Sequence, residues 1–249
     1  MKPRVTASLD GTAHAAWHGA DADRVTTSAP LMRGNAAKRA CDVGASLVGL
    51  VVLSPVFLVC AVLAKAQSRG SVFFLGYRVG RHGKPFRLVK FRTMVVDAPQ
   101  LGTAITTADD PRVTRVGRML RRSKLDELPN LVNVLAGSMS LVGPRPESAD
   151  HVALYSDDDQ RVLTVRPGMT GPTQIRFADE EQMLAAQDDP DAYYTSVLLP
   201  TKIASDLNYV DTRTFWRDIG YITATASLVL RRAVRGPRKS EETHTDGGS

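Results

Sequence analysis

The chain has 249 residues, 43% of them hydrophobic and 23% charged, which is enough apolar material for one or two folded domains and excludes a disordered chain. A formal net charge of +6 points to an anionic partner: nucleic acid, an anionic lipid surface or a phosphorylated substrate. Cys41 and Cys60 match no metal-ligand spacing and read as reduced, buried small hydrophobes, so nothing in the cysteines calls for an oxidising compartment.

Residues 1–35 mix small, polar and charged types without a period and read as a disordered N-terminal extension. His14 and His18 stand four apart there, but with no further ligand types nearby they read as a solvated coincidence. No signal-peptide pattern opens the sequence.

Lys38 and Arg39 then precede an uncharged run, residues 43–64, closed by Lys65 and Arg69. Its length meets the roughly 20 residues of a spanning helix, yet cations at both ends favour keeping both ends on the cytoplasmic side. Pro55 in the middle removes a helical donor, and the Ser54 hydroxyl can satisfy the carbonyl so freed. Residues 36–69 therefore read as a helix-break-helix that dips into one leaflet and returns, with Ser54-Pro55 as the break; a kinked single span and a buried core helix are the competing readings. Asp42 reads as a helix cap or a partner of Arg39.

Val72 to Leu75 and Pro85 to Phe91 are β-rich runs around a tip at Arg81-His82-Gly83-Lys84, a hairpin made basic by Arg78, Arg81, Lys84, Lys90 and Arg92. Its faces are mixed, and a solvated surface and a grip on anionic headgroups fit equally well. Residues 97–111 read as a flexible loop, and Arg112 to Arg122 as a basic helix with Val113, Val116, Met119 and Leu120 on its apolar side.

Next come Arg121-Arg122-Ser123-Lys124-Leu125-Asp126-Glu127-Leu128-Pro129. Leu125, Leu128, Leu131, Val132 and Leu135 recur at three and four, which predicts one helix face and leaves Asp126 and Glu127 off it, at a helix start. An acidic pair in a first turn is ordinary capping. Here cations flank it on both sides, with Arg145 in the stiff Pro144-Arg145-Pro146 following, a composition suited to holding phosphates through guanidinium forks and a divalent cation through oxygen. The glycines of Pro167-Gly168-Met169-Thr170-Gly171 can cradle a phosphate or simply turn the chain. Asp179, Glu180 and Glu181 read as a solvated helix face. Phe215, Trp216, Ile219, Ile222 and Leu228, ended by Arg231-Arg232, form an amphipathic series that lies in a headgroup region or packs on the core. Residues 236–249 read as a disordered tail.

In this order, Lys38-Arg39, Ser54-Pro55, Lys90-Phe91-Arg92-Thr93-Met94, Leu125 to Pro129, Leu141 to Pro146 and Arg166 to Gly171 resemble the bacterial sugar transferases, the monotopic polyprenyl-phosphate phosphoglycosyltransferases. The resemblance covers roughly residues 36–232 and fits a compact, catalytic-only form. It implies an α+β, mostly helical fold: a re-entrant membrane element, then a small β-hairpin and amphipathic helices forming a catalytic domain over 70–235. It implies transfer of a phosphosugar from a nucleoside-diphosphate sugar, usually a UDP-sugar, to undecaprenyl phosphate, releasing UMP and initiating exopolysaccharide, O-antigen, capsule or glycoprotein glycan synthesis. By the same resemblance Asp126 is the nucleophile that forms a covalent intermediate, and Glu127 holds Mg²⁺, with Mn²⁺ as a substitute. Arg121, Arg145, Lys90, Arg92, Arg166, Gly168 and Thr170 are expected around substrate phosphate. The implied setting is the cytoplasmic face of a bacterial inner membrane, with self-association and downstream glycosyltransferases as partners and no nucleic acid. A membrane-anchored basic scaffold without chemistry is the alternative; it explains the apolar run and the charge but not an acidic pair set between arginines.

Overall fold

A computed structural model describes residues 32–67, 69–102 and 105–234. The expected tail and most of the N-terminal extension, including His14 and His18, lie outside the described residues; Met32 to Asn35 open the first helix.

Two helices, α1 (Met32–Val52) and α2 (Ser54–Gln67), meet at a bend of 65°. Pro55 has no N–H to offer the Val51 carbonyl, and the Ser54 hydroxyl donates to that carbonyl instead, at 2.8 Å. No single described helix is long and apolar enough to cross a membrane; the bent pair meets that test of length and composition together. The pair is amphipathic in the inverse sense of a soluble protein. Leu47, Val48, Val51, Val52, Leu58, Val59 and Val62 are exposed, whereas Asp42, Ser46, Cys60 and Ala64 are buried against the domain. Cys60 is buried as expected, but Cys41 is exposed, on the side of α1 turned from the domain.

The hairpin pairs β1 (Phe73–Val79) with β2 (Pro85–Phe91) antiparallel, from Phe73 opposite Phe91 to Val79 opposite Pro85. Its first strand is longer than the sequence predicts, because Gly76 opposite Leu88 continues the ladder through a residue that ends an apolar run. The tip is a 3-10 turn, with His82 and Gly83 at φ of 57° and 71°. After it, α3 (Arg115–Ser123) starts later than the periodicity predicts: Thr114 caps it, accepting from the Gly117 N–H, while Arg112 folds back on Asp110 in a buried 2.6 Å ion pair. Met119, assigned to the apolar side, is exposed; Leu120 carries the burial.

Lys124, at φ 58°, ends α3, and a 3-10 turn over Leu125–Glu127 leads through Pro129 into α4 (Asn130–Ala136). The predicted continuous helix from Leu125 is therefore two pieces, and Asp126 is buried rather than off the packed face. Val132 is exposed and Val134 takes its place in the core. Gly137, at φ 88°, ends α4 and turns the chain into β3 (Ser140–Val142). A short helix, α5 (Ala149–Val152), follows, then β4 (Gly168–Thr170), which lies parallel to β3. The C-terminal part is helical: α6 (Pro172–Arg176), α7 (Glu180–Ala185), α8 (Pro190–Tyr193), a π turn over Tyr194–Leu198, α9 (Leu199–Thr212) and α10 (Phe215–Val234).

The architecture is α+β and mostly helical with two small sheets. One buried cluster joins Val162, Phe177, Leu184, Tyr194, Leu198, Leu199 and Ile203; a second, of Cys60, Phe91 and Leu120, fastens α2 to the hairpin and α3. In α10, Asp218 faces inward while Phe215, Trp216 and Leu230 are exposed, so the helix both packs on the domain and presents an apolar side.

Candidate active site

The turn between α3 and α4 presents Asp126 and Glu127, β2 brings Lys90 beside them, and the Pro144-Arg145-Pro146 segment closes from the far side. Lys90 Nζ donates to Glu127 Oε1 at 2.7 Å and Arg145 Nη1 stands 3.8 Å from the same oxygen. Burial pushes the Glu127 carboxyl up, but Lys90, Arg145 and Lys124 outweigh it and hold the group well below the usual carboxylate range. Asp126 responds oppositely. Burial, reinforced by the Glu127 charge, pushes it up to about 6 against the pull of Lys90, Lys124 and Arg121. Its Oδ1 is buried without a hydrogen-bond partner. Two adjacent carboxylates thus differ in role before any ligand arrives: one is neutralised by cations, the other is desolvated and unpaired, the condition of a carboxylate held for a reaction partner.

Arg121 donates through Nε to Thr93 Oγ1 at 2.9 Å and through Nη1 to Glu181 Oε1 at 2.8 Å. Of the acidic run, Asp179 just before α7 is solvated, its side chain 70% exposed, while Glu180 and Glu181 in α7 are drawn into ion pairs with the domain. Glu181 pairs with Arg121, whose charge is still felt at Asp126, Glu180 reaches Lys202 at 3.2 Å, and Asp179 pairs with Arg232 at 2.6 Å.

Behind Arg145 lies a polar cluster that sequence reasoning missed, because its members are scattered over α6, the π turn, α9 and the loop after β3 without a shared motif. Lys202, 2% exposed, pairs with Glu147 Oε1 at 3.0 Å and donates to the Tyr194 hydroxyl at 2.8 Å, which in turn donates to Glu147 Oε2 at 2.9 Å. Asp206 accepts the Arg145 backbone N–H at 3.2 Å and the Thr173 hydroxyl at 2.5 Å; burial pushes its carboxyl up to about 7. Burial alone would depress the Arg145 guanidinium, yet Glu127, Glu180 and Glu147 raise it, so Arg145 is charged at every physiological pH. Arg78, read from sequence only as part of the basic hairpin, is depressed by burial and feels Glu147, Arg145 and Glu127.

The remaining predicted residues lie elsewhere. Arg92 sits against Gly70 at the open end of the hairpin, its backbone N–H bonded to Val72 O at 2.9 Å. Arg166 Nε donates to Gly137 O at 2.9 Å, at the end of α4 opposite the carboxylates. Gly168 and Thr170 serve the parallel strand pair: a Cβ at Gly168 would meet Gly143 N at 2.1 Å, and the Thr170 hydroxyl bonds that of Thr225. The structure gives Arg166, Gly168 and Thr170 packing and hydrogen-bond partners at the parallel strand pair and the end of α4, away from the Asp126-Glu127 turn.

Among the described residues no group of three or more His, Cys, Asp or Glu side chains gathers as a metal cage. The unpartnered Asp126 Oδ1 next to Glu127 is an oxygen-only, sparse donor set. That suits a hard cation such as Mg²⁺, which binds one or two carboxylates and takes its other ligands from water and substrate phosphate.

Residues 33–232 match the family described as Bacterial sugar transferase. The undecaprenyl-phosphate galactose phosphotransferase of Salmonella typhimurium is 37% identical over 211 residues, covering 78% of this chain and 40% of that protein. The exopolysaccharide production protein ExoY of Sinorhizobium fredii is 34% identical over 211 residues, 79% of this chain and 86% of the relative. The UDP-glucose:undecaprenyl-phosphate glucose-1-phosphate transferase of Caulobacter vibrioides is 37% identical over 198 residues, 78% and 69% of the two chains. The chain therefore spans well under half of the first of these and most of the second.

Proposed function

The chain belongs to the bacterial sugar transferases, and from that premise we propose that it moves a phosphosugar from a UDP-sugar to undecaprenyl phosphate. The names of the Salmonella and Caulobacter relatives give the acceptor and, for one of them, the donor. The observation that carries the reading here is Asp126: buried, with its Oδ1 left without a hydrogen-bond partner, and within the field of Lys90, Lys124 and Arg121.

In the proposed reaction an Asp126 oxygen attacks the sugar-proximal phosphorus. The bond from that phosphorus to the bridging oxygen breaks, UMP leaves with the electron pair, and an aspartyl phosphosugar remains. The phosphate oxygen of undecaprenyl phosphate then attacks the same phosphorus and returns the Asp126 carboxylate. A carboxylate approaches a doubly charged diphosphate only if cations offset the repulsion, and Lys90, Arg121 and Arg145 supply that charge. Arg145 presents a fork to phosphate from a backbone that two prolines stiffen, so little entropy is lost when it binds. Mg²⁺, held by Glu127 beside Asp126, would add charge at the diphosphate.

We place the site at the cytoplasmic face of the bacterial inner membrane. The outward apolar side chains of α1 and α2 are the support: each fully buried in lipid contributes about 1.5–3 kcal/mol, and both flanks are cationic. The bend at Ser54-Pro55 supports a pair that enters and leaves by one leaflet.

Purified protein in vesicles containing undecaprenyl phosphate should release UMP from UDP-galactose or UDP-glucose. A phosphosugar adduct on the Asp126 peptide should be detectable by mass spectrometry when the lipid acceptor is withheld. UMP release by Asp126→Asn protein at the wild-type rate would overturn the assignment.

A further inference from the structure

Lys38 and Arg39 read from sequence as flanking charges, and Asp42 as a cap or a partner of Arg39. The structure uses all three differently. Arg39 Nη1 donates to Val134 O at 2.5 Å and Nη2 to Leu135 O at 2.9 Å. Its planar fork thus holds two carbonyls of the last turn of α4, where the dipole is negative: Leu135 O and Val134 O, the latter also accepting the Gly137 N–H at 3.1 Å. The opposite end of α4 follows the Asp126-Glu127 turn. Asp42, 5% exposed, accepts the Ser140 hydroxyl at 2.7 Å and the Leu141 N–H at 3.3 Å, at the start of the strand that leads to Arg145. Lys38 pairs with Asp218 at 2.6 Å, Asp218 accepts the Tyr209 hydroxyl at 2.8 Å, and that hydroxyl also reaches Val142 O at 3.2 Å.

One polar turn of α1 therefore grips both sides of the chain between residues 134 and 141. That stretch is the covalent link from Glu127 to Arg145, whose side chains stand 3.8 Å apart. A cation needed only to orient a membrane helix is satisfied by water; a guanidinium with both terminal nitrogens on backbone carbonyls is committed to their position.

We propose that Arg39 and Asp42 are positioning residues that fix the turn between α4 and β3, and through it the separation of the Asp126-Glu127 pair from Arg145. This makes α1 part of the frame of the site as well as its anchor. It rests on reading those three residues as the transfer site, where a displacement of about 1 Å costs on the order of 100-fold in rate.

The test uses the full chain in phosphatidylglycerol and phosphatidylethanolamine vesicles, as wild type, Arg39→Lys and Asp42→Asn. Arg39→Lys keeps the flanking charge and loses the fork. It should leave membrane topology unchanged and speed backbone amide exchange in residues 134–141. It should also lower kcat for UMP release about tenfold while the KM for the nucleotide sugar moves less than about twofold, the split expected of misplaced groups rather than lost binding. Asp42→Asn keeps one acceptor oxygen and loses the other with its charge, and should show the same pattern more weakly. Wild-type exchange and turnover in Arg39→Lys would reduce Arg39 to a flank charge and overturn the proposal. So would a fall in kcat with exchange unchanged. If Arg39→Lys does not fold, Asp42→Asn decides on the same two readouts. Absence of UMP release by the wild-type protein would count against the proposed function, whereas amide exchange would still decide whether α1 holds the turn.

Discussion

Lys90 Nζ meets Glu127 Oε1 at 2.7 Å, and the pair joins a strand of the hairpin to the turn that carries the acidic dyad. Both side chains are largely buried, so removing one partner leaves a desolvated charge. Lys90→Met should lower stability by about 3 kcal/mol, the low end for breaking a buried pair, because Arg145 remains to share Glu127. Thermal unfolding checks this. The double variant Lys90→Met, Glu127→Gln should recover stability but not activity, since it removes the stranded charge without restoring the cation proposed to meet phosphate. A double variant no more stable than Lys90→Met would mean that a stranded Glu127 charge is not what destabilises the single variant.

As the proposed nucleophile, Asp126, pushed up to about 6 by burial, should impose a pH dependence on adduct formation. Only the ionised carboxylate attacks phosphorus, so formation of the adduct should rise as pH passes through about 6 and level off above about 7. The stability effect runs the other way. A carboxyl whose folded pKa exceeds its unfolded value binds protons more tightly when folded. Its contribution is complete below the unfolded value near 4 and is lost as pH rises through the folded one. Asp206, pushed up to about 7, adds to the same fall. Asp206→Asn should flatten stability between about pH 4 and 7, measured by denaturant unfolding at several pH values. An unchanged slope would contradict the burial of that carboxyl.

Much of this site was legible because the chemistry-bearing residues lie in compact motifs: the dyad with its preceding cations, and Arg145 between prolines. Lys90 followed from the basic strand, and the break at Ser54-Pro55 from the missing proline donor. The rest depends on long-range packing. The 3-10 turn under Asp126 comes from Lys124 adopting a left-handed conformation, which a helical period running through Leu125 conceals. Arg166 and the Gly168 segment look like a phosphate loop by composition, while their close backbone approach to Gly143, which ties them to the parallel strand pair, has no local signal in the sequence. The Lys202, Tyr194, Glu147 and Asp206 cluster spans separate helices and loops, and no local spacing announces it.

Arg145 combines a charge held by Glu127, Glu147 and Glu180 with a backbone N–H bonded to Asp206. Arg145→Lys keeps the charge and loses the fork, so a bidentate phosphate contact should reduce to one bond. The expected loss is about 1.5–3 kcal/mol of transition-state stabilisation, roughly 10- to 100-fold in kcat/KM, from the typical worth of a charged hydrogen bond. Steady-state kinetics with the UDP-sugar checks it, and wild-type efficiency in Arg145→Lys would leave the residue a structural role only.

The Ser54 hydroxyl bonded to Val51 O marks the carbonyl that Pro55 leaves without a donor. Pro55→Leu restores the N–H for that carbonyl and removes the ring that clashes with the preceding turn, together worth about 3 kcal/mol in a helix interior. The helix should then straighten, and residues 43–64 have the apolar length to span. On the re-entrant reading proposed above, the wild type keeps the N-terminal segment and the domain that carries Asp126 on one side, where a nucleotide sugar and the phosphate of the lipid carrier can meet. Cysteine-accessibility labelling distinguishes the two states in a background with Cys41 and Cys60 replaced, using one probe cysteine at Ala15 and one at Ser240. Both probes should label from the cytoplasmic side in the wild type, and the Ala15 probe should move to the outside in Pro55→Leu. Wild-type protein labelled from outside at the first probe and from inside at the second would establish a true span and remove the re-entrant reading.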